Sequence, residues 1–122
     1  MNTTIWIIQS LMAVLFVLHG IAMFNPPLPV RESVVKKVGY SLPFLKIIGT
    51  LEVLGGFGLI LPTWTRVMPI LSPLAALGLV IIMIGAAISH ARQGEGKQTV
   101  ATSVVTLLVA FVAIGRFWIN PI

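Results

Sequence analysis

An acidic residue within an apolar run is the feature of this sequence that most strongly indicates chemistry. Glu52 lies in the run 44–61, in which apolar residues and glycines predominate. A charged side chain at the centre of a lipid bilayer costs about 2.5–3.5 kcal/mol on insertion scales, so it is expected to face the interior of a helical bundle, find a partner or be protonated. We interpret Glu52 as a ligand-binding or proton-linked carboxylate. A structural role in holding helices together is the alternative.

Three basic side chains are candidate partners for this carboxylate. His19, Lys46 and His90 all lie on one side of Glu52 when the apolar runs are read as helices. His19 is either a hydrogen-bonded interior residue or a proton relay. Lys46 is more typical of a side chain that extends to the membrane surface, and His90 of a solvated helix end.

The spacing of polar residues predicts that two helix faces meet around a small pocket. Gln9 and His19 share one face of the first predicted helix, and Lys46, Gly49 and Glu52 share one face of the second, because residues three and four apart are neighbours on a helix. If these faces meet, Glu52 forms the floor of the pocket and His19 lies above it. We therefore predict a ligand-binding pocket formed by these five residues.

The sequence offers no residue set that is typical of a metal centre or of a soluble enzyme. His19, Glu52 and His90 lack the spacing that zinc sites show, and cysteine is absent, which excludes thiolate ligands and disulfides. A phosphate-binding glycine loop, a nucleophile elbow and a zinc-protease helix are also missing. We therefore predict no metal site. The sequence does not assign a catalytic residue, and it leaves open whether the protein is an enzyme.

The composition indicates what surrounds these residues. The chain has 122 residues, of which 57% are hydrophobic and only 9% charged, whereas a soluble domain carries about 25% charged residues. So few charged residues cannot cover the surface that a soluble fold of this size exposes to water. A protein embedded in a lipid bilayer does not need a charged surface. The net charge of +5 comes from basic residues that lie mostly between the apolar runs. These indicate contact with lipid headgroups and an orientation signal, and not nucleic acid.

Four apolar runs are long enough to cross a membrane, which takes about 20 helical residues. They cover about residues 4–24, 44–61, 67–90 and 99–118, and the first follows a start without Lys or Arg, as expected for a retained helix and not for a signal peptide. We predict a tight turn at 62–66, Pro69 and Pro73 in the first turns of the third helix, and Arg116 with Trp118 as boundary anchors. A deeper position for Arg116 stays open. Short connections favour antiparallel neighbours. The predicted fold is an all-α integral membrane four-helix bundle of antiparallel up-down topology, with residues 1–122 as one transmembrane domain.

The distribution of basic residues predicts the orientation. Most of them lie in the connections after the first and third runs, which places those connections in the cytoplasm and both termini outside it. We expect a multi-pass protein of a bacterial inner membrane. The segment 30–40 is either a short amphipathic helix at the membrane surface or a basic loop, and both interpretations stay open.

Several segments resemble the DoxX-like family of small four-helix membrane proteins. The most specific is the Glu-x-x-Gly-Gly element at Glu52, Gly55 and Gly56, and the resemblance covers nearly the whole chain. The other segments that carry it are 15–20, 51–62, 74–79 and 85–86. The resemblance implies a four-helix membrane bundle. Members often carry a Lys a few residues after the glycine of the first helix, but no Lys follows Gly20 closely here, which weakens the transfer of a charged site at that end.

Three hypotheses for function follow. The first is a binding or accessory subunit with an intramembrane polar pocket around Glu52. The second is a subunit of a membrane quinone-linked oxidoreductase, because the namesake of the family is similar to a subunit of a thiosulfate:quinone oxidoreductase; a quinone is then the expected cofactor. The third is a small proton-linked transporter that acts as an oligomer. The expected partners are the lipid bilayer, a membrane or redox subunit, and a second copy of the chain.

Overall fold

Four long helices form the structure. The computed structural model describes residues 2–24, 29 and 41–119, and in these residues each helix is long and apolar enough to cross a membrane. The helices are α1 (Asn2–Phe24), α2 (Leu42–Thr65), α3 (Leu71–Arg92) and α4 (Gly96–Ile114), and α4 continues as a π-helical segment, Gly115–Ile119. The prediction of an all-α integral membrane four-helix bundle is confirmed. The segment 30–40 lies outside the described residues.

The connection between α2 and α3 differs from the predicted one. The sequence predicts a turn at 62–66, but α2 continues through Pro62 to Thr65. A proline in the last turn removes one backbone donor, and the hydroxyl of Thr65 donates to the carbonyl of Leu61 at 2.6 Å. The chain reverses just after this point, where Arg66 has a left-handed backbone with φ of 60°. Because α3 begins only at Leu71, Pro69 lies in the turn and not in the helix.

The other helix ends follow local hydrogen-bonding signals. The hydroxyl of Ser41 accepts a hydrogen bond from the backbone N–H of Phe44 at 3.2 Å and begins α2, as N-capping serines do. Gly94 adopts a left-handed backbone with φ of 70° after α3 ends, which glycine tolerates without strain. The helix α4 then starts at Gly96, three residues before the predicted start near residue 99.

Glycines bring α1 and α2 close together. A Cβ added at Gly20 would lie 2.5 Å from the carbonyl oxygen of Gly49, and one added at Gly56 would lie 2.9 Å from the carbonyl oxygen of Ala13. Only a residue without a side chain permits backbones to approach this closely, which is how small residues act in membrane helices. The two helices therefore pack against each other along their length.

Contacts among the helix ends define the two ends of the bundle. The start of α1, the end of α2, the start of α3 and the π-helical segment meet around Arg116; we call this the Arg116 end. The opposite end, where α3 leads into α4 near His90, is called the His90 end. The up-down order of the whole bundle stays a prediction, which these contacts favour.

The apolar core fills only part of the bundle. Its members from all four helices, among them Phe16, Leu59, Met83 and Val109, are buried. Beyond Met83 in α3, and before Val109 in α4, neither helix has a buried residue. In α1 and α2 burial continues toward the His90 end. The core therefore ends before the bundle does, and α3 and α4 are incompletely covered there.

Candidate functional site

A histidine and a glutamate form a polar pair between α1 and α2. The Nδ1 atom of His19 lies 2.7 Å from the Oε2 atom of Glu52. The Glu52 side chain is 1% exposed, whereas the His19 side chain is 54% exposed. A carboxylate enclosed by the helices is thus joined to an imidazole that extends out of them.

Helical periodicity and the close approach of the backbones both produce this pair. Glu52 belongs to a buried stripe of α2 that also contains Gly49 and Gly56, at three- and four-residue spacing. These two glycines contact α1 closely, and Glu52 lies between them. His19 follows the buried residue Phe16 by three positions on α1. A one-turn shift of either helix would separate the two side chains.

The number of protons on the His19–Glu52 pair determines whether the exposed side of the imidazole is a hydrogen-bond donor or an acceptor. A net charge in a low-dielectric interior is costly, so states with zero net charge are favoured. One such state has a protonated imidazole and an ionised carboxylate; the other has a neutral imidazole that accepts a hydrogen bond from a protonated carboxyl group. In both states the Nε2 atom of His19 carries a hydrogen. The pair therefore presents an N–H donor at the half-exposed side of the ring.

Two other members of the predicted pocket have different neighbours. The Lys46 side chain is exposed, and its ammonium lies 5.5 Å from the ring centroid of Phe24, a cation–π contact. Gly49 is buried beside Glu52 at the helix contact. The structure thus brings His19, Glu52 and Gly49 together but directs Lys46 outward.

Gln9, the fifth predicted member, lies at the opposite end of the bundle. Its amide nitrogen donates to the carbonyl oxygen of Leu59 and to the hydroxyl of Thr63, the latter at 3.0 Å. Its amide oxygen accepts a hydrogen bond from Nε of Arg116 at 2.8 Å. Gln9 and His19 share a face of α1, as the spacing predicts, but they are too far apart along the helix to line one pocket.

Arg116 is the centre of a second polar cluster that sequence reasoning missed. It is only 3% exposed, so it occupies the deeper of the two positions that the sequence leaves open and is not a boundary anchor. Its Nη1 donates to the Oδ1 atom of Asn2 at 2.8 Å, and its guanidinium lies 5.1 Å from the ring centroid of Trp6. An arginine inside an apolar run is itself a signal for an inward-facing residue, because its donors need acceptors in the bundle.

The second histidine forms a different kind of pair. The Nδ1 atom of His90 lies 3.3 Å from the Oε2 atom of Glu95, and both side chains are about one third exposed. Glu95 also accepts a hydrogen bond from Thr99 through its backbone carbonyl, at 2.8 Å. This pair links the end of α3 to the start of α4 at the bundle surface, as the prediction of a solvated helix end implies.

Titratable residues do not gather into a larger cluster in the part of the chain that the structure describes. No group of three or more His, Cys, Asp or Glu side chains there could hold a metal ion. In residues 2–24, 29 and 41–119, His and Glu side chains form two contacts that could support chemistry, the His19–Glu52 pair and the His90–Glu95 pair. Of the two, only the His19–Glu52 pair has a buried carboxylate.

Comparison with known proteins identifies the family. The model of the DoxX-like family matches residues 7–113, a region that includes most of all four helices together with His19 and Glu52. Neither the curated proteins nor the solved structures include a match to the chain. Because the family model covers most of its length, this small integral membrane protein belongs to the DoxX-like family.

Proposed function

We propose that the protein is a binding or accessory subunit whose His19–Glu52 pair holds the polar head of a lipid-soluble molecule. The observation that carries this proposal is the 2.7 Å contact between a half-exposed imidazole and a buried carboxylate. A carboxylate that only joined helices would not require a ring that extends out of the helix contact. In other proteins, a carboxylate behind a histidine fixes the orientation and the tautomer of the ring.

The chemistry of the pair selects the class of ligand. The Nε2–H group of His19 requires an acceptor, and the ligand has to be soluble in the bilayer. A carbonyl oxygen on an apolar molecule meets both conditions, as in a quinone or an ester-bearing lipid. Glu52 acts as a positioning residue in this proposal, because it contacts the ring and not the ligand.

A role as a subunit of a quinone-linked oxidoreductase uses the same pair. When a quinone carbonyl is reduced, its oxygen takes up a proton, and a histidine backed by a carboxylate can deliver one. The pair supplies protons and not electrons, so this role requires a partner subunit that carries a redox centre. The proposal of a binding subunit does not depend on that partner.

Native mass spectrometry of the protein released from lipid nanodiscs tests the proposal. We expect wild-type protein to retain a discrete small molecule, and we expect Glu52→Gln and His19→Phe to lose it. Glu95→Gln and His90→Phe are matched controls, because they alter the second pair in the same way, and both should retain the molecule. If wild type and all four variants carry only exchangeable lipid, the proposal is wrong. A copurified redox protein or quinone would favour the oxidoreductase role.

An equilibrium measurement quantifies the same effect. We expect decylubiquinone, a quinone with a short alkyl tail, to bind wild-type nanodiscs about tenfold more tightly than Glu52→Gln nanodiscs, a difference of about 1.4 kcal/mol. That is the size of one ordinary hydrogen bond. Equal affinities would show that Glu52 does not support binding of this probe.

A further inference from the structure

The inward-facing stripe of α3 continues past the apolar core. Ala76, Leu79 and Met83 are buried at three- and four-residue spacing. The same spacing continues to Ala86 and His90, which are only half-buried. Ala86 therefore continues the inward-facing stripe without being fully covered by the described part of the chain, and the stripe reaches the bundle surface at His90.

The inward-facing stripe of α4 behaves in the same way. Arg116, Val112 and Val109 are buried. Stepping back along the helix, the same spacing gives Val105 and Thr102, which are half-buried. The helix thus turns a valine and a threonine toward the bundle interior at a level where it no longer contributes to the core.

The His19–Glu52 pair also lies beyond the apolar core, toward the His90 end of α1 and α2. His19 follows the core residue Phe16 by three positions on α1, and its side chain is half exposed. Glu52 lies on the inward stripe of α2. On all four helices, polar or small residues thus follow the core toward the His90 end: His19, Glu52, Ala86 and Thr102.

We infer that these four residues line a water-accessible binding cleft that opens at the His90 end, with the His19–Glu52 pair on one wall and Ala86 and Thr102 on the other. The inference rests on the proposed function and deepens it, because it identifies where the head of the ligand lies. The small side chain of Ala86 leaves room for a flat carbonyl-bearing head, and the Thr102 hydroxyl offers a second hydrogen-bonding group.

Thiol accessibility tests the cleft without any ligand. The chain has no cysteine, so Ala86→Cys and Thr102→Cys each introduce a single thiol. Ile84→Cys and Val104→Cys are matched controls, because each lies two residues away on an exposed outward face. The reagent is 2-sulfonatoethyl methanethiosulfonate, applied to nanodiscs and followed by the gain in mass.

We expect the thiols at positions 86 and 102 to react at least about tenfold faster than the two control thiols, because a charged reagent is excluded from lipid. Equal rates at all four positions would overturn the cleft. That result would leave the proposed function standing if Glu52→Gln still lost the bound molecule. The two failures are therefore distinguishable.

Filling the cleft links it to the ligand. We expect Ala86→Trp to reduce decylubiquinone binding about tenfold and to slow labelling of a thiol at position 102. Ile84→Trp places the same bulk in the lipid and should change neither quantity. If Ala86→Trp leaves probe binding unchanged while Glu52→Gln removes it, the ligand does not occupy this cleft and the inference is wrong.

Discussion

The Nδ1 atom of His19 and the Oε2 atom of Glu52 are 2.7 Å apart, and the carboxylate is buried while the imidazole is half exposed. The same two atom types meet in His90 and Glu95 at 3.3 Å, with both side chains about one third exposed. The two pairs therefore consist of the same chemical groups but differ in the burial of the carboxylate. Both members of the second pair are partly exposed, whereas in the first pair a buried carboxylate holds the imidazole at a defined place in the bundle.

Removal of the imidazole should destabilise the bundle by leaving Glu52 without its partner. We expect His19→Leu to lower the free energy of unfolding by about 1–3 kcal/mol, the cost of an unsatisfied buried polar group. His90→Leu should cost less than about 1 kcal/mol, as for an exposed pair. Unfolding in mixed detergent micelles, followed by circular dichroism, measures both. Similar losses for the two variants would contradict a special role of the buried pair.

Closely packed glycines should be more sensitive to substitution than open ones. A Cβ at Gly49 would lie 2.6 Å from the carbonyl oxygen of Gly20, so Gly49→Ala must push α1 and α2 apart. We expect a loss of about 1–3 kcal/mol in unfolding free energy and weaker decylubiquinone binding, because the His19–Glu52 contact lengthens. Gly78→Ala is the control, since an added Cβ there meets nothing within 4 Å. A tolerated Gly49→Ala would contradict the close helix contact.

The Arg116 cluster should support stability and not ligand binding. Arg116→Leu removes the hydrogen bonds to Asn2 and Gln9, and hydrogen bonds to charged groups contribute about 1.5–3 kcal/mol each. We expect a loss of at least about 2 kcal/mol in unfolding free energy, measured as above, with decylubiquinone affinity of the folded protein unchanged. Arg92→Leu, at an exposed helix end, is the control. A loss of affinity in folded Arg116→Leu would mean that the two polar clusters are coupled.

Lys46 should be dispensable for binding, although its spacing placed it in the predicted pocket. Its side chain is exposed, and its ammonium lies over the Phe24 ring. We expect Lys46→Gln to bind decylubiquinone as wild type does, in the same nanodisc titration. Reduced binding in this variant would show that Lys46 reaches the ligand after all.

The membrane class, the number of helices and the inward direction of Glu52 can be predicted from the sequence alone. These follow from local properties, because about 20 apolar residues span a bilayer and a carboxylate in such a run avoids lipid. The pairing of Glu52 with His19 can also be predicted, since helical spacing indicates that the faces carrying them meet between the first two helices. Family membership agrees with the segments that suggested it.

Packing between the helices defines which polar residues meet and which helix segments stay incompletely covered. Periodicity defines the face that a residue shares within its own helix, but it does not define how one helix shifts or rotates against the next. Gln9 accordingly bonds to Arg116, far away in the sequence, and Lys46 turns outward. Packing between helices also accounts for the continuation of α2 through Pro62 and for the end of the core at Met83 and Val109. The sequence of one helix does not contain this information.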